Sequence, residues 1–143
     1  MKQLLLSTLL LAGTTGFSSR QVTPPASLVG TWWLTSQTIV VTPKGGGTAT
    51  TYPQRVVPNT IKLTYLANGN YRVLFDKSIS ATGTTTATTG TYIHTGSTIT
   101  YTINSNTSTA RIDTLTNSSL IHVATSEDVS GNFVSVTTNT YAR

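Results

Sequence analysis

Hydrophobic and polar positions alternate along most of this chain, in short runs. Thr60 to Ala67 sets Ile61, Leu63 and Tyr65 on one face and Thr60, Lys62 and Thr64 on the other. Tyr71 to Lys77 repeats the pattern, with Tyr71, Val73 and Phe75 opposite Arg72, Leu74 and Asp76. A period of two marks a strand with one face against a core. Asn68-Gly69-Asn70 separates these runs, and Asn-Gly in that place predicts a tight hairpin. Thr91–Thr95 and Thr98–Ile103 form a second hairpin around Gly96-Ser97. Read as a two-residue turn, it pairs Thr95 with Thr98, His94 with Ile99 and Tyr92 with Tyr101. Opposed residues share a face, so Tyr92, His94, Ile99, Tyr101 and Ile103 point together, toward the interior.

Thr31–Val41 opens the series of strands, and Ala110–Leu115, Leu120–Ser126 and Phe133–Tyr141 close it. The last two carry apolar residues on both faces and do not orient themselves. Residues 19–29 read as a Pro-containing lead-in that ends in one helical turn before Gly30. Residues 42–58 form the longest irregular stretch, and 78–89 a loose connection or frayed strand. The separators 104–109, 116–119 and 127–132 are rich in Asn, Ser and Gly. Short connections make consecutive strands antiparallel neighbours, because a parallel pair needs a crossover of about a dozen residues. The expected architecture is all-β: an antiparallel, up-and-down, eight-stranded barrel whose closure removes exposed edges. A β-sandwich is the alternative.

Composition sharpens this picture. Of 143 residues, 32 are Thr and 15 are Ser, while charged residues are 9% against about 25% in an average domain. Thr, Val, Ile and Tyr suit a pleated surface. There is no cysteine, which removes disulfides, thiol catalysis, thiolate metal sites and a lipid-bearing Cys. The net charge of +5 comes from Lys and Arg scattered singly, so nucleic acid is not an expected partner. Lys2, the apolar run Leu4–Ala12 and small Gly16 and Ser18 predict a cleaved signal over residues 1–18. That run is half the length of a membrane span. The expected organisation is signal 1–18, lead-in 19–29 and barrel 30–143, in a secreted or periplasmic protein.

Gly30-Thr31-Trp32-Trp33 resembles the Gly-x-Trp opening of lipocalin barrels. The order Gly90-Thr91-Tyr92, Ile99-Thr100-Tyr101, then Ile112, Leu115-Thr116 and Leu120 is similar to bacterial lipocalin-like domains. The resemblance spans residues 28–141 and implies a barrel with Trp32 packed at its closed end. It also implies that Arg143, a basic residue after the last strand, covers that ring with a cation–π contact of about 0.5–2 kcal/mol. Gly30, Trp32 and Arg143 are thus the expected structural residues. The Thr-Asp-Tyr loop of classical lipocalins and the lipidated Cys of many bacterial relatives are absent.

The inventory for catalysis is short: Asp76, Asp113, Glu127, Asp128, His94 and His122. Asp76 falls opposite its strand's aromatic set, Asp113 shares a face with Arg111, and Glu127-Asp128 sits in a turn. No spacing suggests a metal site, and Gly45-Gly46-Gly47 lacks the Lys that follows in a phosphate loop. No enzyme activity and no cofactor are expected. An eight-stranded barrel is just wide enough to be filled by side chains or to hold one small ligand. The expected partner is a small apolar or amphipathic molecule held by Tyr65, Phe75, Tyr92, His94 and Tyr101, with His94 near a mouth and Tyr101 deeper. The alternative is a filled barrel that acts as a structural or interaction module in the cell envelope.

Overall fold

The computed structural model describes residues 25–76 and 85–143. The signal segment 1–18, lead-in residues 19–24, Lys77 and residues 78–84 of the loose connection lie outside the described residues. The described residues form nine strands in order: β1 (Gly30–Pro43), β2 (Thr50–Gln54), β3 (Ile61–Tyr65), β4 (Asn70–Phe75), β5 (Thr86–Thr95), β6 (Thr98–Ile103), β7 (Asn106–Leu115), β8 (Ser119–Glu127) and β9 (Phe133–Ala142). All neighbours are antiparallel, and β1 pairs with β9 to close the sheet on itself. That closure makes an eight-stranded barrel with one extra strand and excludes the sandwich. No helix occurs among the described residues, so the helical turn expected before Gly30 is absent.

The extra strand comes from the stretch expected to be irregular. β2 and β3 pair with the same edge of β1, Thr50–Gln54 with Gln37–Val41 and Lys62–Tyr65 with Gly30–Trp33. They are one returning strand, interrupted by a detour over residues 55–60 that contains Pro58. Pro53, the fivefold-exposed run of β2 and its short length blunt an edge that has no further partner among the described residues. Two other expected boundaries move as well. β5 begins at Thr86, inside the supposed loose connection, and β7 at Asn106, inside a supposed six-residue separator. Asn104 and Ser105 both have positive φ, which makes them a two-residue hairpin turn of the primed kind.

The two hairpins read from the sequence have the expected registers. Tyr65 opposes Tyr71 and Leu63 opposes Val73; Tyr92 opposes Tyr101 and His94 opposes Ile99. Gly69, at φ 80°, supplies the left-handed residue the first of these turns requires. The inward alternation collects Trp32, Leu34, Leu63, Tyr65, Tyr71, Ile99, Leu120 and Tyr141 into one core with Leu28.

This core plugs one end of the barrel. Trp32 is fully buried, and its indole N–H donates to the Leu28 carbonyl at 2.9 Å. The lead-in is thereby drawn across the end formed by the 66–69, 96–97 and 116–118 turns. The Arg143 guanidinium lies over the Trp32 ring, as the resemblance implied. Trp33, on the opposite face, has Lys62 beside it at 5.4 Å. Toward the other end the inward residues become small and polar, and the interior opens.

Candidate ligand-binding site

Above the plug lies an open cavity of about 580 Å³. Its floor is aromatic: Tyr71 from β4, Tyr101 from β6, His122 from β8 and Tyr141 from β9, with Leu63 and Val73 beside them. Its upper wall is small or polar: Ser108 and Ala110 on β7, Ala124 and Ser126 on β8, Asn139 on β9. The register explains the set. Tyr141 opposes Leu120, and Asn139 opposes His122, so β8 and β9 present Leu120, His122, Tyr141 and Asn139 to one side. The Asn139 carbonyl oxygen accepts from the Gln37 side-chain N–H at 2.8 Å, which fixes its orientation.

A closed polar ring stands at the floor. The hydroxyls of Tyr65 and Tyr101 bond to each other, Tyr65 reaches Nε2 of His122 at 3.3 Å, and Tyr101 reaches Nδ1 at 3.3 Å. A neutral imidazole has one N–H and one bare nitrogen, and each phenol has one proton. Three protons therefore serve three contacts, each group donating once and accepting once. Burial supports that protonation state. It pulls the His122 imidazole down to about 4, because the cation would lose its water. Burial likewise holds the Tyr65 and Tyr101 hydroxyls far above the ordinary phenol range and pushes Tyr141 up to about 12. The floor is uncharged across the neutral range.

The five residues expected to bind a ligand are dispersed. Tyr101 lines the cavity. Tyr65 is fully buried beneath the floor, hydrogen-bonded to Tyr101 and His122 and packed against the Tyr71 ring with centroids 6.5 Å apart. Tyr92 packs edge-on against Tyr65 with centroids 4.8 Å apart, and its hydroxyl donates to the Leu66 carbonyl at 2.9 Å. Phe75 is 37% exposed at the opposite end of β4 from Tyr71. His94 is exposed at the plugged end, where its Nε2 bonds to the Gly96 carbonyl at 2.8 Å. The mouth near which it was expected is the closed one.

Sequence reasoning missed His122, Tyr141 and Asn139 as cavity residues. On β8, Leu120, His122 and Ala124 alternate with the equally apolar Ile121 and Val123, so periodicity alone does not decide the inward face. The missing signal was the pairing of β9 with β1, which forces Tyr141 inward opposite Leu34. By strict alternation Asp113 shares a face with Leu115 as well as with Arg111. The structure places a bulge there: the β7–β8 register shifts between Ile112 and Thr114, so Leu115 turns inward while Asp113 stays outside. Asp113 accepts from Arg111 Nε at 2.5 Å on that outer face. No group of three or more potential metal ligands stands together among the described residues, and no helix among them is long and apolar enough to cross a membrane.

The fold is similar to two solved structures. A lipocalin-like protein from Bacteroides uniformis is 15% identical, with a TM-score of 0.50 over 81% of this chain and 97% of that one. An uncharacterized protein from Bacteroides eggerthii is 13% identical, with a TM-score of 0.51 over 82% and 99%. No protein-family model matches the chain, and no curated protein does. At these identities the likeness speaks for the fold, a lipocalin-like barrel.

Proposed function

We propose that this protein binds a small amphipathic molecule inside its barrel and does no chemistry on it. One observation carries the reading: an open cavity of about 580 Å³ with an aromatic floor and a hydroxyl-rich wall. Small-molecule sites run to roughly 300–1,000 Å³ and combine apolar walls with a few polar points. A filled barrel acting through its surface alone would leave no such volume. Among the described residues the lining contains no carboxylate, and both nitrogens of its imidazole are engaged by tyrosines. That supports a binder over a catalyst.

We also propose that the protein is exported to the periplasm or beyond, on the strength of the apolar run Leu4–Ala12 and the small residues after it. Intact mass of the exported protein should lack residues 1–18; retention of Met1 would overturn this part.

Titration with an environment-sensitive apolar dye tests the binding itself. Wild type should bind, and Tyr101→Trp, which fills the floor, should bind more weakly. Equal binding in both, or none in either, would remove the internal site. Mass spectrometry of any bound molecule before and after incubation checks the absence of turnover.

A further inference from the structure

The barrel wall between β7 and β8 is joined over only half its length. Pairing runs from Leu115–Leu120 to Arg111–Val123 and stops there. Beyond it, Asn106–Ala110 stays paired with β6 on its other edge, and Ala124–Glu127 stays paired with β9. Two strand edges therefore face each other without partners among the described residues. The bulge at Asp113 sits inside the joined half, and a bulge bends its strand and increases twist. The ladder stops two pairs beyond that bulge.

The cavity lining records the split. Thr107, Ser108, Thr109, Thr125 and Ser126 all border the cavity, although neighbours along an intact strand face opposite sides. The opening is thus bordered by five hydroxyl residues, of which Ser108 and Ser126 share the inward parity of Ala110 and Ala124, and by two strand edges beyond the end of their ladder. Among the described residues, no charged side chain lines it. Arg111 pairs with Asp113 on the outer face at 2.5 Å, and Glu127 pairs with Lys44 at 2.6 Å. His122, deeper in, has both nitrogens occupied.

We propose that the split between β7 and β8 is the subsite for the polar head of an uncharged amphiphile rich in hydroxyl or amide groups, whose apolar part lies on the tyrosine floor. The inference rests on the binding function proposed above and adds the ligand's class and orientation. A head with several hydroxyls or amides satisfies edges that offer donors and acceptors alternately. A carboxylate or ammonium head would leave water without meeting a counter-charge.

The test compares octyl glucoside, octanoate and octyltrimethylammonium, each below its micelle-forming concentration, as competitors for the apolar dye on the full protein. The glucoside should compete at least about tenfold more strongly than either charged probe, the factor that about 1.4 kcal/mol of unmet polar interaction sets. Equal or stronger competition by a charged probe would overturn the proposal while leaving the cavity intact as a binding site. Failure of the dye to bind at all would overturn the binding function, and this inference with it. The double variant Ser108→Cys/Ser126→Cys gives a second measurement, since the chain has no other cysteine. Bridging the pair with a short bifunctional maleimide should weaken glucoside binding about tenfold relative to the unbridged variant. Unchanged binding after bridging would show that the head lies elsewhere.

Discussion

The guanidinium of Arg143 lies 3.9 Å from the centre of the Trp32 ring. The same guanidinium donates through Nη2 to the carbonyls of Ser27 at 2.5 Å and Val29 at 2.9 Å. The last residue of the chain thus fastens the lead-in over the ring that plugs the barrel. Gly30 belongs to this joint: a side chain there would come within 3.1 Å of the guanidinium, at a φ of 136°.

Trp32→Ala should therefore destabilise the protein by about 3–5 kcal/mol, the usual loss for a large buried ring. Arg143→Ala should lose less, about 0.5–2 kcal/mol for the cation–π contact. Chemical denaturation of the two variants checks the order. A Trp32→Ala protein as stable as wild type would mean that the plug is not part of the core.

Gly90 sits where β5 passes over the Tyr71 ring. A methyl group there would collide with the Thr102 carbonyl and meet Tyr71 Cε1 at 2.8 Å. The carbonyl is held in the β5–β6 ladder and cannot yield, so the strand or Tyr71 must move. Gly90→Ala should lower stability by about 1–3 kcal/mol, the range for overpacking. It should also weaken dye binding, because Tyr71 forms part of the cavity floor. Normal binding in a folded Gly90→Ala protein would place the dye away from Tyr71.

Local chemistry made much of this fold legible, and long-range pairing hid the rest. Asn68-Gly69 and Gly96-Ser97 set their hairpins, and each turn puts its own pair, Tyr65 with Tyr71 and Tyr92 with Tyr101, on one face. The Trp32 plug was legible through a resemblance rather than through periodicity. β2 was not, because Thr50–Gln54 is exposed on both faces and contains Pro53, so it lacks the alternation that marks a strand. The cavity was the least legible part. Its floor depends on β8 and β9, whose faces are balanced, and on a bulge at Asp113 that no turn residue announces. His94 and His122 looked alike in the sequence, yet β5 ends in solvent at one and β8 buries the other.

Alkaline titration checks the floor. Tyr65, Tyr101 and Tyr141 are held above the ordinary phenol range by burial, whereas the unfolded chain ionises near pH 10. A folded-state pKa raised in this way favours the native state below pH 10 and loses that contribution as pH climbs past it. Phenolate absorbance should show these three tyrosines ionising together with unfolding. Their ionisation near pH 10 in a protein that remains folded would contradict the burial described here.

His122 works in the opposite sense at the acid end. Its folded pKa, about 4, lies below the value of 6.5 for an exposed imidazole, again because burial disfavours the cation. Between these values the unfolded chain binds a proton that the native protein does not. Stability therefore falls as pH drops from about 6.5 toward 4, by about 3 kcal/mol for this gap, and levels below it. Asp113 and Asp128 are held below the ordinary carboxylate range, Asp113 by Arg111 and Asp128 by hydrogen bonds from Ser130 and Phe133. Their contributions disappear at lower pH, as the folded protein takes up those protons, so the imidazole window stands apart. Geometry gives the same direction: a protonated His122 would donate from both nitrogens, leaving a phenol proton without an acceptor in the ring. Denaturation curves at pH 7, 6, 5 and 4 should show the loss in wild type and a flat profile in His122→Gln. A His122→Gln protein with the same acid slope would assign that slope to other groups and leave the imidazole outside the core.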